Sequence, residues 1–152
     1  MKAITSTWFE CKVRFDQVQE NGLQKKVTEQ YVVDAISFSE AEKRIVEEVT
    51  PYTGGEHEVT DVRKAAYREV LFAEDVQADR WFKAKLAFIT LDEKSGKEKR
   101  STVTYLVQAA SFDNAVENIN RAMQGTMIDY EKSNITETKI MDVYRYEEVT
   151  EG

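Results

Sequence analysis

The chain has one cysteine, one histidine and one proline in 152 residues. A single cysteine, Cys11, excludes an internal disulfide and fits a reducing compartment. A single histidine, His57, leaves histidine chemistry one candidate, set among acids beside Gly54-Gly55 in what reads as an exposed loop. No serine elbow, Cys-x-x-Cys, His-Glu-x-x-His or phosphate loop is present. No apolar run approaches the length of a membrane span. The first residues, Met1 to Thr7, lack the apolar core of a signal peptide, so cytoplasm is the expected address. A positive balance is lacking too: the net charge is −7, which argues against wholesale electrostatic capture of duplex DNA or an anionic membrane.

What the chain does have is a statement made twice. Tyr31-Val32-Val33-Asp34-Ala35-Ile36-Ser37-Phe38 returns as Tyr105-Leu106-Val107-Gln108-Ala109-Ala110-Ser111-Phe112. At this offset Thr28, Tyr31, Val33, Ala35, Ser37, Phe38, Ala41 and Ile45 all fall on identical residues, against roughly one or two expected by chance. Upstream, Trp8-Phe9 recurs as Trp81-Phe82, and Lys12 as Lys85, with an offset one residue shorter. A unit of this size is marginal alone, so the two repeats, about 5–75 and 78–148, are expected to form one domain over residues 1–152.

Each repeat reads as strand, strand, helix, strand. Phe9, Cys11, Val13 and Phe15 alternate with Trp8, Glu10, Lys12 and Arg14, the period of a half-buried strand; Phe82, Ala84, Leu86 and Phe88 repeat it. Turns containing Gly22 and Gly96 lead to return strands over about 26–36 and 101–110, apolar enough on both faces to be interior. Helices follow at about 40–49 and 114–123, with Ser39 and Asp113 as predicted N-caps and Glu42 completing a capping box. Phe38, Ala41, Ile45 and Val49 form one stripe, matched by Phe112, Ala115, Ile119 and Met123. A single long strand is expected to close each half, over about 58–72 and 134–146. Ala73 to Arg80 reads as a linker and Glu147 to Gly152 as a frayed tail. The expected fold is α+β: tandem ββαβ repeats with pseudo-twofold symmetry, an antiparallel sheet or pair of sheets, and two helices packed on one face.

Carboxylates are plentiful but fall into no spacing specific to metal or acid–base work, and Glu40, Glu42, Glu47 and Glu48 read as a solvated helix face. Cys11 reads as a small buried apolar residue. No cofactor, metal or catalytic residue is therefore predicted, and the chain reads as a non-catalytic binding protein. The candidate site is the face opposite the helices. If Phe9 and Phe82 point to the helices, Trp8, Lys12, Arg14, Trp81, Lys83 and Lys85 point away. Rings interleaved with cations suit base stacking and phosphate neutralisation, so single-stranded nucleic acid or a small nucleotide is the expected ligand. Charge supports this locally, since Trp8 to Val27 carries a net +1 and Trp81 to Arg100 a net +3 on an acidic chain. The competing expectation is a protein interface, in a homodimer or with a host or phage partner. A Trp opening a strand also packs under loops, and Lys protects sheet edges.

The segments Trp8-Phe9-Glu10-x-Lys12 and Tyr31-Val32-Val33-Asp34-Ala35-x-Ser37-Phe38-x-Glu40-Ala41-Glu42 resemble a family of small proteins from Bacteroides-group bacteria and their phages, defined only as a domain of unknown function. The resemblance covers most of the first repeat. The second departs at Asp113-Asn114-Ala115-Val116, as a diverged copy would. It implies an intracellular accessory protein and transfers no functional residue. Sheet-faced single-strand binders such as the PUR-repeat proteins offer a loose analogy, with a different element order.

Overall fold

The computed structural model describes residues 7–146; the segment read as a frayed tail, Glu147 to Gly152, and the first six residues lie outside the described residues. The first repeat forms β1 (Thr7–Val18), β2 (Gln24–Ala35), α1 (Phe38–Thr53), β3 (His57–Ala65) and β4 (Tyr67–Leu71). The second forms β5 (Arg80–Leu91), β6 (Glu98–Ala109), α2 (Phe112–Met123), β7 (Asp129–Glu137) and β8 (Ile140–Tyr144). The fold is α+β as expected, with the eight strands in two sheets of four.

The hairpins explain the shift of offset within the repeat. Val18 pairs with Gln24 around a turn in which Gly22, at φ +83°, donates to the Gln19 carbonyl. Leu91 pairs with Glu98 across a loop one residue longer, where Gly96, at φ +70°, donates to the Asp92 carbonyl. Both glycines adopt the positive φ that a side chain disfavours. The extra residue moves the copy from 73 to 74 positions away.

The helices start earlier than predicted. Ser37 and Ser111, not Ser39 and Asp113, are the N-caps, accepting from Glu40 N and Asn114 N at 3.1 Å. Glu40 accepts in return from Ile36 N at 3.0 Å, and Asn114 from Ala110 N at 2.9 Å. Two Ser-x-x-Glu frames overlap in Ser37-Phe38-Ser39-Glu40-Ala41-Glu42. The first wins because it puts Phe38 on the helix, its ring edge-on to Phe9 at 5.0 Å. At the other end α1 runs through Pro51 to Thr53. Proline already holds a helical φ, and in the last turn it sacrifices one hydrogen bond. Gly54, at φ +65°, closes the helix by donating to the Thr50 carbonyl.

The closing strands differ from expectation. Each long strand is broken, at Ala66 and at Thr138-Lys139, and its second piece joins the other repeat's sheet. The strand orders are β3-β1-β2-β8 and β4-β6-β5-β7. β1–β2, β1–β3 and their copies are antiparallel, whereas β8 runs parallel to β2 and β4 parallel to β6. Parallel neighbours need long connections, which the exchange provides. The compact units accordingly cut across the repeats: one joins the chain up to Ala66 with the chain from Lys139, and the other is Tyr67–Thr138.

Within each unit the helix covers one sheet face. Ala41, Ile45 and Val49 pack on Phe9, Cys11, Val13, Tyr31 and Val33. Ala115, Ile119 and Met123 pack on Phe82, Ala84, Leu86, Tyr105 and Val107. β2 and β6 are interior strands, as their apolar faces predicted. Their opposite faces are also shielded, with Val32 and Leu106 at 0% exposure.

A polar clasp fixes the end of each exchanged strand. In the first unit, buried Asp34 accepts from Tyr146 N at 2.9 Å and faces Arg44 Nη1 at 3.3 Å. Arg44 also bonds the Asp34 carbonyl, pairs with Glu40 at 3.3 Å and lies 4.2 Å from the Tyr146 ring centre. The second unit builds the same clasp without charge: Gln108 accepts from Ala73 N at 2.9 Å, and Asn118 donates to the Gln108 carbonyl at 3.0 Å.

Candidate functional site

The β1 face opposite α1 carries Trp8, Lys12 and Arg14 in line, as their alternation dictates. Register decides what surrounds them. Trp8, half-buried, lies between Asp34 of β2 and Ala65 of β3. Lys12 lies between Gln30 and Asp61, in a shallow polar depression of about 140 Å³ that Glu10 and Arg63 also line. Arg14 faces Thr28 and Glu58, and its guanidinium is 2.7 Å from the Glu58 carboxylate. Both β1 cations therefore stand across from an acid, and Asp61 is further held by Arg63 at 2.8 Å. At partly exposed positions such pairs contribute little to stability, but they cancel the local field that would draw an anion.

The β5 face is different. Trp81, read from the sequence as an outward ring, is buried at 2% exposure, edge-on to Phe72 at 5.5 Å. Its carbonyl takes both the backbone N–H and the hydroxyl of Thr138, at 2.9 and 2.8 Å. It is a packing residue where the chain leaves β7, and its indole is closed to stacking. Lys83 lies between Leu106 and Thr136, with its ammonium 5.8 Å from the Tyr67 ring centre. Lys85 is exposed between Thr104 and Asn134, both uncharged hydrogen-bonding side chains. At the hairpin end Arg100 pairs with Glu131 at 2.7 Å.

The structure thus assembles each repeat's predicted residues on one face but gives the two sets unlike surroundings. His57 is no loop residue: it opens β3 opposite Phe15, half-buried, its Nδ1 3.0 Å from the Thr53 hydroxyl. Cys11 is fully buried on the helix side, and burial pushes its thiol up to about 12. Among the described residues no group of acidic, histidine or cysteine side chains is arranged to hold a metal ion. No described helix is long and apolar enough to cross a membrane.

The family described as Domain of unknown function (DUF4494) matches residues 7–146, nearly the whole chain and both repeats. The chain belongs to that family. No curated protein matches it.

One concave feature of this DUF4494 chain was missed by sequence reasoning. In the first unit a cleft of about 480 Å³ opens between the end of α1, the hairpin end of β1–β2 and β8. Tyr31, Tyr52 and Tyr144 form its aromatic wall, and Asp16, Glu29 and Asp142 stand around it. Tyr31 and Tyr144 stack at 6.1 Å with 22° between their planes, and the Tyr31 hydroxyl donates to Glu29 at 2.9 Å. Burial raises both phenols above their ordinary range, and it also raises Asp142. The sequence signal was faint. Tyr144 reaches Tyr31 only because β8 crosses into this sheet, and Tyr52 lies beyond residue 49, where the helix was expected to end.

Proposed function

We propose that this is a non-catalytic binding protein that takes a phosphate-bearing ligand, single-stranded nucleic acid or a small nucleotide, on its β5 face. The observation that carries the reading is the setting of Lys85: an exposed cation flanked by Thr104 and Asn134, on the same face as Lys83 and the Tyr67 ring. Ammonium groups beside neutral hydrogen-bond donors suit phosphate oxygens, and a tyrosine suits a base. The ring role moves from Trp81 to Tyr67. Lys12 and Arg14, each across from a carboxylate, become secondary. The reading includes a reducing cytoplasm, of Bacteroides-group bacteria or of cells infected by their phages, where buried Cys11 stays a thiol.

The test is fluorescence anisotropy of a labelled oligothymidylate, with unlabelled nucleotides as competitors. Binding is expected at low salt and should weaken as salt rises, with Lys85→Glu weakening it about tenfold and flattening the salt slope by about one. Lys12→Glu should do less. No binding at low salt to oligonucleotide or nucleotide overturns the proposal.

A second reading, a protein interface, draws on apolar side chains beside the edge strand β7, where Met127 is 99% and Ile128 39% exposed. Self-association lost on Met127→Lys/Ile128→Lys, with little salt dependence, is what that reading expects.

A further inference from the structure

The place of the tyrosine cleft in the first unit has an equivalent position in the second, built on the same strand frame. The two frames match closely. Phe15 corresponds to Phe88, and Tyr31 to Tyr105. β8 meets β2 with an irregularity between Gln30 and Tyr31 that leaves Met141 unpaired. β4 meets β6 with the same irregularity, and there the residue left over is Arg68. In the second unit the Arg68 guanidinium lies 5.9 Å from the centre of the Phe88 ring, within the range of a cation–π contact. This place in the frame already seats a cation, supplied by the chain itself.

In the first unit that cation is replaced by Met141, whose side chain is neutral and 53% exposed. Beside the shared Phe15, Tyr31 and an acid at the place of Asp142, three neighbours differ in ways that suit a positive charge. Tyr144 stands where the copy has Leu71, and Glu29 where it has Val103. Tyr52 comes from a last turn of α1 that α2, ending at Met123, does not have. Among the described residues no lysine or arginine lines the cleft. Two cations stand beside its rim: Lys26, largely exposed and 3.5 Å from Asp16, and Lys25, exposed across from Gln17. Stacked phenol rings ringed by carboxylates are the surroundings in which ammonium groups are held, and about 480 Å³ is the size of a small-molecule site.

We propose that this cleft binds a small organic cation bearing an alkylammonium group, which takes the place that the Arg68 guanidinium fills in the second unit. The rings of Tyr31, Tyr52 and Tyr144 face the charged end, and Asp16, Glu29 and Asp142 balance it. The cleft shares no residue with the β5 face proposed above for phosphate, and its assignment does not rest on that reading.

The experiment is calorimetric titration of the full chain with spermidine at two salt concentrations, with aromatic NMR resonances assigning the site. The wild type should give saturable binding, with shifts centred on Tyr31, Tyr52 and Tyr144. Tyr144→Leu installs the copy's residue without changing net charge and should weaken binding at least tenfold. Met141→Arg supplies an internal cation and should weaken it as much, whereas Met141→Gln should leave it within about twofold. Circular dichroism melts check that each variant is folded. Diffuse shifts over the acidic surface, or Met141→Arg binding like wild type, overturns the proposal. So does a Gly-Gly-Lys-Gly-Gly peptide binding as tightly as spermidine, which would assign the ammonium to a protein side chain.

Discussion

At the residue scale the two tryptophans separate by environment, although the sequence treats them alike. Trp81 is buried and packed against Phe72, so Trp81→Ala is expected to cost about 3–5 kcal/mol of stability, the range for large-to-small changes in a core. Trp8, half-buried between Asp34 and Ala65, should cost clearly less. Urea melts of the two variants measure the difference, and equal losses would contradict this assignment. Nothing in residues 81–88 alone marks Trp81 as closed, because its cover comes from Phe72, beyond a strand break that the sequence does not announce. Cys11 was legible, since its period-two neighbours Phe9 and Val13 are all apolar. Fully buried and with its thiol pushed up to about 12, it should resist iodoacetamide at pH 8 in the native state and react at once in guanidinium. The Glu40–Glu48 run was only partly legible. Glu40 caps α1 and pairs with Arg44, and Glu48 accepts from the Tyr146 hydroxyl at 2.7 Å, so half of that face is structural.

At the element scale the first two strands, the helices and the interior place of β2 and β6 were written in periodicity and in the repeat itself. The N-caps were written there too: Ser37 and Ser111 are identical across the repeat, whereas Ser39 becomes Asp113. Ser37→Ala and Ser111→Ala should each cost about 1 kcal/mol. The strand break was not legible. Ala65-Ala66-Tyr67 and Glu137-Thr138-Lys139 contain no glycine or proline to punctuate them, and a parallel partner leaves no local trace. The tyrosines around β8 give this element a pH signature. Tyr31, Tyr144 and Tyr146 all have phenols raised by burial, so the folded state favours their neutral forms. Their contribution is complete below the unfolded tyrosine value of about 10 and is lost as pH climbs above it. Buried Cys11 adds the same kind of loss from lower pH, so stability followed by urea midpoint should decline gently above about pH 8.5, where the unfolded thiol ionises, and more steeply above pH 10, in step with the 295 nm absorbance of ionising tyrosine. Tyr144→Phe should make that fall shallower.

At the scale of the whole molecule, a duplication detected in sequence has not produced two self-sufficient halves. A segment cut at the repeat boundary, such as 7–75 or 78–146, keeps three strands and a helix of one sheet and carries a short strand whose parallel partner is absent. In the first, β2 would lose β8 along Gln30–Val33, and Tyr31 would lose its stacking partner Tyr144. In the second, β6 would lose β4, and with it Leu71 from the core and Phe72 from Trp81. The segment Tyr67–Thr138 is different, because it holds all four strands of the β4-β6-β5-β7 sheet, α2 and the Gln108 clasp in one continuous stretch. Neither of its ends coincides with a repeat edge, yet it is the cut that respects the hydrogen bonding. Expressed alone, 67–138 should melt cooperatively and at higher temperature than 78–146, although the two are nearly equal in length. Adding Tyr67–Arg80 back to 78–146 as an overlapping extension should recover the transition. If 78–146 is the more stable of the two, the exchanged strand β4 contributes little, and the repeat is the folding unit after all.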